Sequence, residues 1–336
     1  MDCIEPISAA APACPEEERS ETSIVSKIAA PFFALFNYFY GINPVTEKRE
    51  FGYLPQWVEK AMGASMYFET MQSQGRIAYN HHELPKTSHI FDTLKTHAKR
   101  DLPYELHIIK KNEINAWCMP GGKVAVFSGI LEKIDYFVHN KKAMGLDGYT
   151  DPETGTFISY AAVTKDDVIA ALLGHEMTHA DARHFARKLE LTFLLQAIFF
   201  SAAAWTQSII NGKKRDLKER MRHLEITNDV TEEDRKKFQE EKEWHRTLQT
   251  IHNIAFRWVV KFGMNIYLKF GSRQHELEAD KYGTRLMVES GYNPAGALFL
   301  QEILKRESGP SHWYFFSTHP EPEERQAALC LYLYRK

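Results

Sequence analysis

The stretch LLGHEMTHADARH, residues 172–184, sets His175 and His179 four positions apart with Glu176 directly after the first. At 100° per residue, a spacing of four returns to the same face of an α-helix one turn along, so the two imidazoles project side by side as a bidentate pair for one ion. The residues before them, DDVIAALL at 166–173, describe a helix that begins acidic and dives into an apolar core. Glu176 neighbours a ligand without being one. From there it reaches a metal-bound water, which is the place of the general base in zinc peptidases.

Such a pentapeptide needs a third ligand. One solution is a histidine six positions after the second, behind a turning glycine; here those places hold Phe185 and Ala182, and that solution is excluded. His184, nine residues after His175, falls about 180° around a continuous helix and reads as a surface or packing histidine. The other solution is a glutamate from a later helix. GSRQHELEADKYG, residues 271–283, offers Glu276 with Asp280 four residues on, one ligand and one acceptor that orients a ligating histidine. Glu278, about 200° from Glu276, is expected to face elsewhere, and His275 reads as a flank.

Around these helices the chain has 336 residues, 44% hydrophobic and 26% charged, enough to bury a real core in one large domain or two small ones. Its net charge of −2 gives no electrostatic argument for nucleic acid. Cys3, Cys14, Cys118 and Cys330 form no CxxC pair, which argues against a disulfide framework or a thiolate zinc cluster and for a reducing compartment. Residues 1–23 read as a disordered acidic tail without the basic start and apolar run of a cleavable signal. One further thought is latency, with Cys3 or Cys14 capping the metal. Residues 24–41, rich in phenylalanine and tyrosine but too short to cross a bilayer, read either as a helix docked on the body or as an interfacial anchor.

The remainder, 42–336, is expected to be a single catalytic domain. Helical spacing over 45–100 puts Trp57, Val58, Ala61 and Met62 on one face and Ile90, Phe91 and Leu94 on another. Strands follow at 104–109, 114–119 and 123–127, the last two joined by Pro120-Gly121-Gly122 as a hairpin; 139–156 reads as a mobile loop.

Five segments in order, NPVTEKR at 43–49, NAWCMPGGKVAVFSGIL at 115–131, LLGHEMTHADARH, HELEADKYG at 275–283 and STHPEPEERQAAL at 317–329, resemble the zinc metallopeptidases that include heat-shock HtpX, the CAAX prenyl protease and the mitochondrial Oma-type protease. NPVTEKR in particular resembles the start of bacterial Oma-type members. Trp117, Cys118 and the charged insertion at 212–247 depart from that pattern. The resemblance implies a mostly helical α+β zincin-like (gluzincin) fold with a small three- to four-stranded sheet. It also implies endopeptidase activity on protein or peptide substrates, with one Zn2+ held by His175, His179 and Glu276 and with Glu176 as general base. His319, in the His-Pro segment, is the candidate donor to the oxyanion, with Arg325 as a helper; a helix-cap histidine and a surface arginine are the plain alternatives. If substrate lies along 114–119 as an added strand, Asn115 and Ala116 bind it; equally, they only shape the sheet.

Several proteins of that kind are embedded in membranes, and residues 189–210 carry one charge, Glu190, over a length that would just span a bilayer. A single crossing would strand Glu276 on the far side from the histidines, and the only partner span, 251–270, carries Arg257, Lys261 and Lys269. The reading is therefore a buried or peripherally inserted helical hairpin within an insertion at 189–270. Its less apolar stripe is Thr192, Gln196, Ala203 and Gln207, and 212–247 is its solvated tip. This gives a protein of the cytoplasm or of a membrane surface, touching lipid through 24–41 and 189–210, with its oligomeric state open. The competing function is a catalytically silent relative that keeps zinc as a fold staple and serves as a binding or chaperone-like module.

Overall fold

A computed structural model describes residues 40–52, 54–227, 230–307 and 322–334, with only the helical course given over 255–272. The expectations for the tail at 1–23, for nearly all of 24–41, for Cys3 and Cys14, and for His319 lie outside the described residues. The first described elements are a short hairpin, β1 (Tyr40–Ile42) with β2 (Arg49–Phe51), followed by helix α1 (Gln56–Gln74). Strand β3 (Arg76–Ile77), helix α2 (Leu84–Lys95), strands β4 (Glu105–Lys110), β5 (Ala116–Met119) and β6 (Lys123–Phe127), and helix α3 (Ser128–Asn140) come next. A second hairpin, β7 (Gly148–Thr150) with β8 (Phe157–Ser159), precedes helix α4 (Lys165–Asp181). Among the described residues the remaining helices are α5 (His184–Thr227), α6 (Glu232–Glu289), α7 (Ala295–Arg306) and α8 (Pro322–Tyr334).

The architecture is α+β and mostly helical. Among the described residues a four-stranded sheet runs β3-β4-β6-β5, with β4 and β6 parallel and both outer strands antiparallel. The expected hairpin forms because Gly121 and Gly122 both adopt left-handed backbone, at φ 78° and 77°, which a side chain would resist. β5 is left at the edge.

α4 is the central helix, buried on all sides from Val168 to Leu173 among α2, α3, β5, α6 and α7. Its start is secured by a capping box: the Thr164 side chain accepts from the Asp167 backbone N–H, and the Asp167 carboxylate accepts from the Thr164 N–H. α4 and α6 cross at Gly174 and Gly283, where a Cβ on either residue would come within 2.6 Å of the other helix's backbone. Glycine costs a helix roughly 1 kcal/mol relative to alanine, and the close approach it permits is what brings Glu276 up to the histidines.

Three expectations need correction. α1 turns Glu59, Gly63, Tyr67 and Met71 inward, while Trp57 is 72% exposed. The inward stripe includes a carboxylate paired with Arg100 (3.0 Å) and a glycine pressed on the Pro120 carbonyl, so it is invisible to apolar periodicity. Ile90, Phe91 and Leu94 are buried as expected. Within 139–156, part of the expected loop is strand β7, pinned to β8; Asp151 closes the turn by accepting from the Glu153 N–H and the Thr154 hydroxyl.

The third concerns 189–210. This apolar stretch lies in α5 but is not buried in the protein: Ile198, Phe200 and Trp205 are all more than half exposed. Thr206 and Gln207 are polar residues that face α6. Gln207 and Gln249 exchange amide hydrogen bonds of 2.7 and 2.5 Å, and Thr206 meets His252 at 2.6 Å.

Candidate active site

Four elements build the site. α4 supplies His175, Glu176 and His179; α6 crosses it with Glu276 and Asp280; α8 adds Arg325 from behind; β5 forms the rim. His175 Nε2 lies 3.2 Å from His179 Nε2 and 3.2 Å from Glu276 Oε2, and His179 Nε2 lies 3.4 Å from Glu276 Oε1. One ligand atom from each residue lies within 4.8 Å of the other two. Two imidazole nitrogens and a carboxylate oxygen at that spacing are the donor set of a zinc site that keeps a fourth position for water, so the residues fit the ion that the sequence pattern implies.

Behind this cluster the charges are paired. His175 Nδ1 lies 2.9 Å from Asp280 Oδ1, and Arg325 donates to both oxygens of Asp280 at 2.6 Å. Burial pushes the Asp280 carboxyl up, but the Arg325 charge and hydrogen bonds outweigh it and hold the group down at about 2. Burial likewise lowers His175, yet its hydrogen bonds to Asp280 and Glu276 carry it up to about 9. Arg325, offered above as a helper at the oxyanion, is 2% exposed with its guanidinium committed to Asp280, on the side of the ligands away from the groove.

The groove in front has a volume of about 330 Å³ and is lined by Asn115, Ala116, Trp117, Glu176 and His179 among others. Glu176 is 2% exposed. Asn115 and Ala116 are buried, and the Asn115 carbonyl accepts from Phe127 N–H at 3.0 Å, which ties this end of β5 to β6.

The end of α4 departs from a continuous helix. Arg183 takes left-handed backbone at φ 60°, and α5 restarts at His184. For a non-glycine residue this costs roughly 1–2 kcal/mol. The Arg183 side chain offsets that cost: its guanidinium donates to Glu59, to the Leu54 carbonyl (2.7 Å) and to Glu190 (3.1 Å), all in a buried cluster. The break swings His184 back to His179, with Nδ1 atoms 2.8 Å apart, instead of onto the opposite side. Burial, then His275 and Arg187, hold the His184 imidazole well below its ordinary value. Glu278 faces elsewhere than Glu276, and there its Oε1 lies 3.3 Å from His184 Nε2. Sequence spacing missed the direction of His184, and so the partner of Glu278, because it assumed that the helix ran on through Arg183.

A histidine-bearing helix crossed by a glutamate helix beside the edge of a small sheet defines a zincin-like metallopeptidase architecture. The chain belongs to peptidase family M48, whose family model matches residues 86–331. It is similar to the mitochondrial metalloendopeptidase OMA1 of Schizosaccharomyces pombe, 28% identical over 289 residues that cover 84% of this chain and 63% of that protein. A second relative, the mitochondrial metalloendopeptidase OMA1 of Arabidopsis thaliana, is 23% identical over 230 residues, 68% of this chain and 31% of that protein. The chain thus spans less than two thirds of the length of these curated relatives.

Proposed function

We propose that the chain is a zinc-dependent metalloendopeptidase, and the observation that carries this is the convergence of His175, His179 and Glu276 in a groove that Glu176 also lines. Bound by those three residues, zinc would polarise the scissile carbonyl and make a water acidic near neutral pH. Glu176 takes the water's proton and delivers it to the departing amine. Substrate lies along β5 as an added strand, held by backbone hydrogen bonds beside Asn115 and Ala116, which gives affinity with little selectivity for sequence. His319 remains the proposed donor to the oxyanion. Arg325 acts at one remove, holding Asp280 so that Asp280 holds His175.

A groove read mainly through backbone suits clearance or processing of varied proteins, the quality-control role proposed here. The test is cleavage of an unfolded protein such as casein. A chelator should abolish it and added zinc restore it, whereas activity that survives full removal of metal would sink the reading. A silent, zinc-stapled module would bind zinc without ever cleaving.

The outward apolar face of α5 supports contact with a lipid surface. Within Lys165–Thr227 the helical chain is long and apolar enough to cross a bilayer by length and composition, but the charges at Arg257, Lys261 and Lys269 favour a surface position over two spans. The full chain should co-sediment with liposomes, and Phe200→Glu with Trp205→Glu should release it; a parent chain that stays in the supernatant would remove the membrane from the proposal.

A further inference from the structure

We propose that His184 and Glu278 support His179 from behind, so that each imidazole of the metal site is oriented by a carboxylate of α6: His175 by Asp280 directly, His179 by Glu278 through the His184 ring. The inference rests on the zinc site proposed above.

Both ring nitrogens of His179 are accounted for. Its Nε2 faces His175 and Glu276, at 3.2 and 3.4 Å, so in a metal-binding tautomer the N–H is on Nδ1. That N–H points at His184 Nδ1, 2.8 Å away, and donates to it. An imidazole that accepts at Nδ1 carries its own proton at Nε2, and Glu278 Oε1 is the carboxylate oxygen beside His184 Nε2, 3.3 Å away in an electrostatic contact. Glu278 accepts in turn from Asn43 Nδ2 at 2.7 Å, and the Asn43 side-chain oxygen caps the loop after β1 by accepting from the Val45 and Thr46 N–H groups. The His184 ring is 4% exposed and stacks on His275 with centroids 4.2 Å apart and planes 9° apart, which leaves it little freedom to rotate. The His179–His184 and Asn43–Glu278 links are hydrogen bonds, and the 3.3 Å contact of His184 Nε2 with the Glu278 carboxylate joins them as a close charge contact whose alignment falls short of a hydrogen bond.

The geometry has a cause in the chain. Glu276 and Asp280 share one face of α6 and point at α4, whereas Glu278 points to the other side. The left-handed residue Arg183 brings the first turn of α5 to that other side, so three acids within five residues of α6 serve one centre from two directions. His184 is a positioning residue and touches no substrate.

Removing outer partners of a metal-bound histidine costs about 10- to 100-fold in metal affinity or activity. The experiment compares the full chain with His184→Ala, Glu278→Ala and the double variant. Zinc affinity is measured by competition with a chromogenic chelator, the visible spectrum after cobalt substitution, and kcat and KM with zinc in excess. His184→Ala should weaken zinc affinity by about 10- to 100-fold and Glu278→Ala by less. The double variant should be no weaker than His184→Ala, because removing the middle ring already disconnects the carboxylate. The cobalt spectrum should change in both single variants, and kcat should fall while KM stays within about threefold.

Zinc affinity within about twofold of the parent in both single variants, or losses that simply multiply in the double, would overturn the inference. If His184→Ala does not fold, Glu278→Ala decides alone, and unchanged zinc affinity there overturns it. A parent chain that takes up no zinc overturns the metal reading and this inference with it. A parent that binds zinc and cleaves, with indifferent variants, overturns this inference alone.

Discussion

Glu176→Gln should retain zinc at the parent's stoichiometry and lose turnover by about 100- to 10,000-fold, the range that a positioned general base contributes. The substitution is nearly isosteric, so the packing of a residue that is 2% exposed in the central helix survives it. The three groups that hold the ion are untouched. Only the ability to accept a proton is removed. Measuring kcat beside metal content separates this outcome from misfolding: a folded, zinc-loaded Glu176→Gln chain that turns over within about threefold of the parent would show that the proton goes elsewhere and that the proposed chemistry is mistaken.

The second large effect is on stability. Arg325→Leu should destabilise the fold by about 3–5 kcal/mol, because it strands one member of a buried ion pair. The guanidinium and the Asp280 carboxylate are both almost wholly buried, and the two hydrogen bonds between them, each 2.6 Å, are the main counterweight to burial of the acid. The sign with pH follows. Asp280 in the folded chain is held at about 2, below the ordinary carboxylate value of about 3.9, so its contribution is fully present above about pH 4 and is lost as pH falls toward 2. Urea unfolding at neutral pH should therefore show a large gap between parent and variant, one that narrows on acidification through that window. An unchanged midpoint at neutral pH would mean that the pair is not the clamp the structure indicates.

Much of this centre can be read in the chain itself, since His175 with His179, and Glu276 with Asp280, are spacings within single helices, and helical spacing is a local property. The glycine pair after Pro120 announces its hairpin for the same reason. What could not be read depends on residues that act against type. Arg183 takes a conformation suited to glycine because distant acids hold its side chain, and with that one residue the direction of His184 and the partner of Glu278 change. Glu59 and Gly63 occupy the inward face of α1 where apolar residues would be sought, one neutralised by buried arginines and the other fitted to a carbonyl. α5 reverses the usual rule, with amides toward its partner helix and aromatics outward, so an apolar run there does not report burial.

The length of α6 has a mechanical meaning. It is one helix from Glu232 to Glu289, braced against α4 at Gly283. At 1.5 Å per residue, its far end, paired with α5, is about 76 Å from that fulcrum and Glu276 only about 10 Å. A rigid rod with such unequal arms gears motion down about sevenfold, so a tug of about 5 Å at the tip shifts the glutamate by less than about 1 Å. The long arm can be jostled by whatever it touches while the short arm keeps its aim.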